Sequence, residues 1–391
     1  MKPLEHVTIV ELSTMVTASL ATMMLAEQGA RVIKVEPVDA GDPMRRFGTA
    51  KGGMSGLFAS CNRGKESLRI DLKHARGRAL VSALALRADV WIHNFRPGVM
   101  DALELGSQRL RAANPRLVYV AISGFGPEGP LRNAPAYDPI VQAHAGAASI
   151  QGGATPAFMR TLLCDKITAY TACQATTAAL LARERSGAGQ HIDLSMLDAS
   201  LFFLYPDGYM NHTLLDADAE QQPLLADLIY EMTTTRDGAI AISASTPRQR
   251  LGLARAAGLD RLLTDARFAS AAALSANIAE YRALLAQAFA GMTTSEALSC
   301  LRENDVPCAR CLTRDEVIDD SQVQAAGALE VIDHPHTGRT RIVRSPAMFS
   351  GERLPAARPS PGHGEHTDAL LNELGVDAAE IARLRTAGAI G

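Results

Sequence analysis

A chain of 391 residues, 47% hydrophobic and 21% charged, has the make-up of a globular protein long enough for two domains or one large domain with an insertion. A net charge of −3 and the lack of any Lys/Arg block exclude nucleic acid as an expected partner. No apolar run approaches a membrane span and no signal-peptide core opens the chain; six scattered cysteines argue for reduced thiols in the cytoplasm.

Residues 6–10, HVTIV, read as a strand followed by Glu11. Residues 17–28 read as a helix closed by Gly29, and 30–36, ARVIKVE, as a second strand. This strand–helix–strand order is a βαβ unit, which implies a parallel sheet with ligands at its strand ends. The first turn holds no G-x-G-x-x-G, so a dinucleotide is not expected. A turn and a strand follow from Asn62, and a helix runs from Gly77 to Arg87. Arg63, Lys65 and Lys73 are candidates for phosphate binding, with a solvated surface as the alternative. Val90–His93 is a strand ending in Asn94-Phe95-Arg96-Pro97-Gly98, and Leu117–Ser123 is another ending in Gly124-Phe125-Gly126. Each loop lies at a strand's carboxyl end, where open α/β sheets bind ligands.

Residues 136–146, AYDPIVQAHAG, carry Tyr137, Asp138, Gln142 and His144. The Gly/Thr/Pro loop 150–158 could offer backbone amides to an oxyanion or simply turn the chain. Asp165 then precedes a run from Ile167 to Arg185, rich in Ala and Thr, that reads as a helix ended by Gly187 and Gly189. A carboxylate at a helix start accepts free N–H groups and stays ionised at neutral pH. Such a group is either an N-cap or a nucleophile for an activated acyl group. Gln190–Leu194 alternates as a strand, and Ser195 opens a further apolar segment. No G-x-S-x-G competes for catalysis, and neither Cys308/Cys311 nor His334/His336 forms a convincing metal set, so no metal is expected.

Composition shifts after Asp198. Residues 205–227 read as an irregular connector, 230–243 as a hairpin turning at Arg236-Asp237-Gly238, and helices follow near 247–258, 275–290 and 295–304. The fold expected is α/β: a large domain, 1–215 plus 330–391, with a smaller α+β domain at 216–329. Residues 331–344 resume strand-like alternation, and helices near 369–374 and 378–387 close the chain.

From Asp165 through Arg183, Arg185, Gly187, Gly189, Gln190, Asp193, Ser195, Asp198 and Ala199, the chain resembles the nucleophile segment of the class III CoA-transferases, the CaiB/BaiF family. Gly29-Ala30, Val32–Glu36, Gly41-Asp42-Pro43, the N-F-R-P-G loop, Ser345-Pro346 and Gly364–Thr367 extend the resemblance over nearly the whole length. Ala18 and Ser19 replace the family's Gly-Pro, and Ala169 stands where Gly is frequent. The resemblance implies a Rossmann-like sheet, an interlocked homodimer, and coenzyme A as the group carried between an acyl-CoA and a small organic acid. Asp165, Tyr137 and Gln142 would be catalytic. Val16, Arg63, Lys65, Lys73, Asn94, Phe95, Arg96 and Gly124 would bind CoA. The related α-methylacyl-CoA racemases usually carry His where Tyr137 stands. A phenol donates hydrogen bonds but shuttles protons poorly at neutral pH, so acyl transfer is favoured. A racemase or a CoA-binding protein without turnover remain the alternatives.

Overall fold

The computed structural model of the chain describes residues 2–220, 230, 232–355 and 358–391. Two compact units emerge, Met1–Phe203 with Ala325–Gly391, and Leu204–Gln324. Both boundaries precede those expected from composition. The apolar segment after Ser195 continues as a helix, Met196–Gly208, with Pro206 inside it, where an irregular connector was expected from 205. Residues 221–227 of that connector lie outside the described residues.

Six strands build the first unit's sheet: β1 (Thr8–Leu12), β2 (Arg31–Glu36), β3 (Lys65–Arg69), β4 (Val90–His93), β5 (Val118–Ser123) and β6 (His191–Ser195). Their order is β3-β2-β1-β4-β5-β6, and every pair is parallel. A parallel sheet is covered on both faces, so alternate side chains enter different cores. Val10, Ile33, Trp91 and Tyr119 pack on one face with Leu80, Val81 and Leu84 of α2 (Ala75–Arg87) and with the C-terminal helices. Ile9, Val32, Val90, Ile92, Val118 and Val120 pack on the other. There they meet α1 (Thr17–Glu27) and the long helix α4 (Leu163–Ser186), with α3 (Asp138–His144) lying between in sequence. Small residues, Ala18 and Ala21 on α1 with Ala169 and Ala172 on α4, are fully buried there and let the helix backbones approach closely. Helix α4 stops because Gly187 takes a left-handed conformation (φ 73°) and its N–H closes on the Arg183 carbonyl at 2.8 Å.

Beneath the start of α1 the second face carries charge. Glu11 and Lys34 are register partners on β1 and β2, both fully buried and 2.7 Å apart. Lys65 reaches Glu11 at 2.7 Å and Lys34 also meets Asp42 at 3.0 Å. Hydroxyls of Ser13, Ser19 and Thr22 complete the cluster. Burial opposes the Glu11 charge, but Lys34 and Lys65 outweigh it and hold this carboxyl far below the usual range.

The second unit has its own antiparallel sheet of Met232–Thr235, Gly238–Ile242 and Cys308–Arg310. Helices Pro247–Ala256, Ile278–Ala290 and Thr294–Glu303 pack around Ile240, Phe289 and Leu301.

Candidate active site

Strand order reverses between β1 and β4, and a doubly wound sheet leaves a crevice at the carboxyl ends of such neighbours. A cavity of about 290 Å³ lies there. Thr14, Met15 and Thr17 after β1 line it, with Asn94, Phe95 and Arg96 after β4, Ser123 and Gly124 at the end of β5, and Met196 after β6. Arg132 and Tyr137 add the loop leading into α3, Asp138 the start of α3, and Asp165 the first turn of α4.

The walls are tied together by side chains that never face the cavity alone. Asn94 accepts from the Thr14 N–H (3.1 Å) and donates to the Thr14 carbonyl (2.6 Å) and the Thr17 hydroxyl (2.9 Å), which clamps the two loops across the switch point. Met15 sits in the left-handed region (φ 61°), a strained state for a side chain of its kind, and its N–H donates to Asp42 at 3.2 Å. Since Asp42 is paired with Lys34, the buried charge cluster positions this wall. Gly124 is a packing requirement, because a Cβ there would overlap that of Ala136 and displace the approach to Tyr137.

Asp165 is not the N-cap. Helix α4 begins at Leu163, so Asp165 lies inside the first turn, and its own N–H donates to Asp138 Oδ2 at 3.0 Å. Asp138 Oδ1 accepts from Gln142 at 2.6 Å. Gln142 also binds the Met159 and Thr161 carbonyls and the Met159 N–H, so it anchors the segment entering α4 from behind the cavity. The Asp165 carboxylate is buried at 8% exposure and accepts no hydrogen bond among the described residues. Burial first, then the Asp138 charge, raise its pKa from 3.8 to about 7, against a small opposing effect of Lys166. The helix terminus therefore does not hold it fully ionised at neutral pH, contrary to the reading from sequence.

Of the residues expected at the site, the cavity gathers Asp165, Tyr137, Asn94, Phe95, Arg96 and Gly124. Five lie elsewhere. Gln142 is fully engaged as described. Val16 is buried in an apolar cluster with Met44, Met54 and Phe58. Arg63 is buried against Glu27 at 2.6 Å; the same Nη2 also reaches the Val343 carbonyl, and Nη1 reaches the Ser60 carbonyl. Lys65 is fully buried on Glu11, the Ser19 carbonyl and Asn62 Oδ1, and burial pushes its pKa down to about 8. Lys73 is exposed, outside the lining. The 150–158 loop also contributes no lining residue. Sequence reasoning passed over Thr14, Met15 and Arg132; a lone Arg in the loop after a ligand-end strand was the available signal for the last.

Comparison with known proteins supplies the class. A family model described as CoA-transferase family III matches residues 4–367. The succinate–glutarate CoA-transferase of Agrobacterium fabrum is 32% identical, covering 95% of this chain and 96% of that protein. The acetyl-CoA:oxalate CoA-transferase of Acetobacter aceti is also 32% identical, covering 97% of each. The crystal structure of a CaiB/BaiF family protein from Brucella suis superposes with a TM-score of 0.83 at 31% identity, covering 95% of this chain and 99% of that one. With a six-stranded parallel sheet and a carboxylate-lined crevice at its switch point, this chain belongs to the class III, or CaiB/BaiF, CoA-transferases and is an enzyme of that family.

Proposed function

We propose that the chain moves CoA from an acyl-CoA donor to a free carboxylic acid through covalent chemistry at Asp165. The observation that carries this reading is a buried, unpaired carboxyl with a pKa near 7 on the wall of the crevice. Desolvated and more basic than a surface aspartate, its ionised form is a better nucleophile. The Asp165 carboxylate attacks the thioester carbonyl and expels CoA thiolate, leaving a mixed anhydride. The thiolate attacks the aspartyl carbonyl and expels the donor acid as its carboxylate. The acceptor carboxylate then attacks the aspartyl thioester, releasing thiolate again. That thiolate attacks the acceptor's acyl carbonyl, which forms the new acyl-CoA and restores Asp165. No water or redox partner enters, and no metal takes part. The cavity must exclude water, since both intermediates hydrolyse.

Two relatives act on short dicarboxylic acids by name, and with a cavity of about 290 Å³ we take the acceptor to be a short, polar organic acid. An interlocked homodimer belongs to this proposal, as does a cytoplasmic location, which suits six free cysteines. Among the described residues no helix is long and apolar enough to cross a membrane.

Tyr137 is two-thirds exposed on the cavity wall and here positions the thioester by one hydrogen bond. Incubation with acyl-CoA and a panel of free acids tests the function: CoA must appear on an added acid, and α-proton exchange without transfer would contradict it. In the same assay Tyr137→Phe should lower turnover about tenfold, the worth of one hydrogen bond. A collapse by several orders would assign the phenol a chemical step instead.

A further inference from the structure

In the first unit, a turn at His334-Pro335-His336 closes the antiparallel hairpin of Leu329–His334 with Gly338–Val343. His334 is buried, and its Nδ1 accepts the N–H groups of His336 (3.1 Å) and Thr337 (3.4 Å). Its Nε2 lies 3.0 Å from the Oγ of Ser360, also buried, and that Oγ lies 3.0 Å from the Met54 sulfur. Both ends of this chain of contacts permit one arrangement of protons. A backbone N–H only donates, so Nδ1 carries no proton. A thioether only accepts, so the Ser360 hydroxyl donates to Met54 and accepts from Nε2–H. Burial first, then the neighbouring His336, lower the His334 pKa from 6.5 against the opposing effects of Ser360 and Glu365, which favours the neutral ring.

The turn is seated against its neighbours. Gly52 has a φ of 59°, and a Cβ there would stand 2.2 Å from the His336 carbonyl oxygen. His336 Nε2 meets Glu365 at 3.0 Å, and the same Glu365 oxygen accepts the Gly362 N–H at 2.6 Å. Met54 belongs to the apolar cluster of Val16, Met44 and Phe58. Met15 and Leu162 pack against that cluster, and both line the cavity. The contacts from His334 through Ser360 to Met54 therefore run from the hairpin to the residues behind the cavity wall.

We infer that His334 is a positioning residue for the active site: as the Nε2–H tautomer, acting through Ser360 and Met54, it fixes the cluster on which Met15 and Leu162 rest. It does not line the cavity itself. The effect on CoA rests on the transferase reading, whereas the tie between hairpin and cluster does not. A buried hydrogen bond between neutral groups is directional, so it sets where Met54 sits as well as holding the hairpin down.

His334→Asn, Ser360→Ala and their double variant test the assignment. Asn keeps an acceptor for the two N–H groups of the turn but is too short to reach Ser360. Ser360→Ala keeps the turn and removes the bridge. By calorimetric titration each single variant should weaken CoA about threefold to tenfold, the worth of one hydrogen bond, and the double variant should lose no more than either alone. In transfer assays the loss should fall on the KM of acyl-CoA and leave kcat within about twofold. Proton–nitrogen NMR correlation spectra read the tautomer directly: the ring signals that vanish in His334→Asn should be those of a neutral imidazole protonated at Nε2. A ring protonated at Nδ1 overturns the assignment. So do losses that add in the double variant, or variants that melt lower yet bind CoA as wild type does, which would make the tie a support of the hairpin alone. Wild type that binds CoA but transfers it to no acid defeats the transferase reading and leaves the tie standing.

Discussion

Asp165→Asn should abolish CoA transfer and at the same time stabilise the protein. A carboxamide has no carboxylate to form the anhydride, so turnover should fall below detection, and Asp165→Ala, which cannot deamidate, should match it. The stability gain follows from burial. The folded carboxyl titrates near 7 rather than 3.8, so the stability that its neutral form contributes is fully present below about pH 4 and lost as pH rises through 7. At pH 8 the ionised group costs the fold up to about 4 kcal/mol, on the order of several degrees in melting temperature. The variant should therefore melt above wild type at pH 8, and the difference should close as pH falls. In the wild type, kcat/KM should rise with pH through about 7. An active Asp165→Asn, or one that melts below wild type at pH 8, would oppose the account.

Glu11→Gln should give the largest loss of stability. It leaves Lys65 without an ion-pair partner and Lys34 with only Asp42, both in a cluster closed to solvent. Breaking a buried pair on one side costs about 3–5 kcal/mol, a large share of the roughly 5–15 kcal/mol that holds a typical domain folded. The denaturation midpoint of the first unit should drop accordingly. Because Asp42, which Lys34 pairs, accepts the N–H of the strained Met15 wall, CoA binding should weaken before the unit unfolds. An unchanged midpoint would mean that the cluster is neutral for stability.

The βαβ start and the strands after it were legible because their apolar runs and loop residues carry a strong local signal. The register of those strands, and hence the switch point between β1 and β4, was not, because parallel partners are distant in sequence. Charge was misread for the same reason. Arg63 and Lys65 in N-R-G-K look like a surface turn, and only the pairing of β3 with β2 brings Lys65 onto Glu11. Asp165 was found by its segment, whereas its raised pKa depends first on burial and then on Asp138, distant in sequence and brought close by α3. Gln142 was found by motif, and its hydrogen bonds tie it to Asp138 and to the backbone of Met159 and Thr161.

The covalent intermediate is the most direct test. Protein incubated with donor acyl-CoA alone, with no acceptor acid, should gain one CoA per active chain by intact mass. Hydroxylamine should convert that species to a hydroxamate at Asp165, and borohydride should reduce the same peptide to the alcohol, since both report an activated carboxyl. Donors that are consumed while Asp165 stays unmodified would contradict the account.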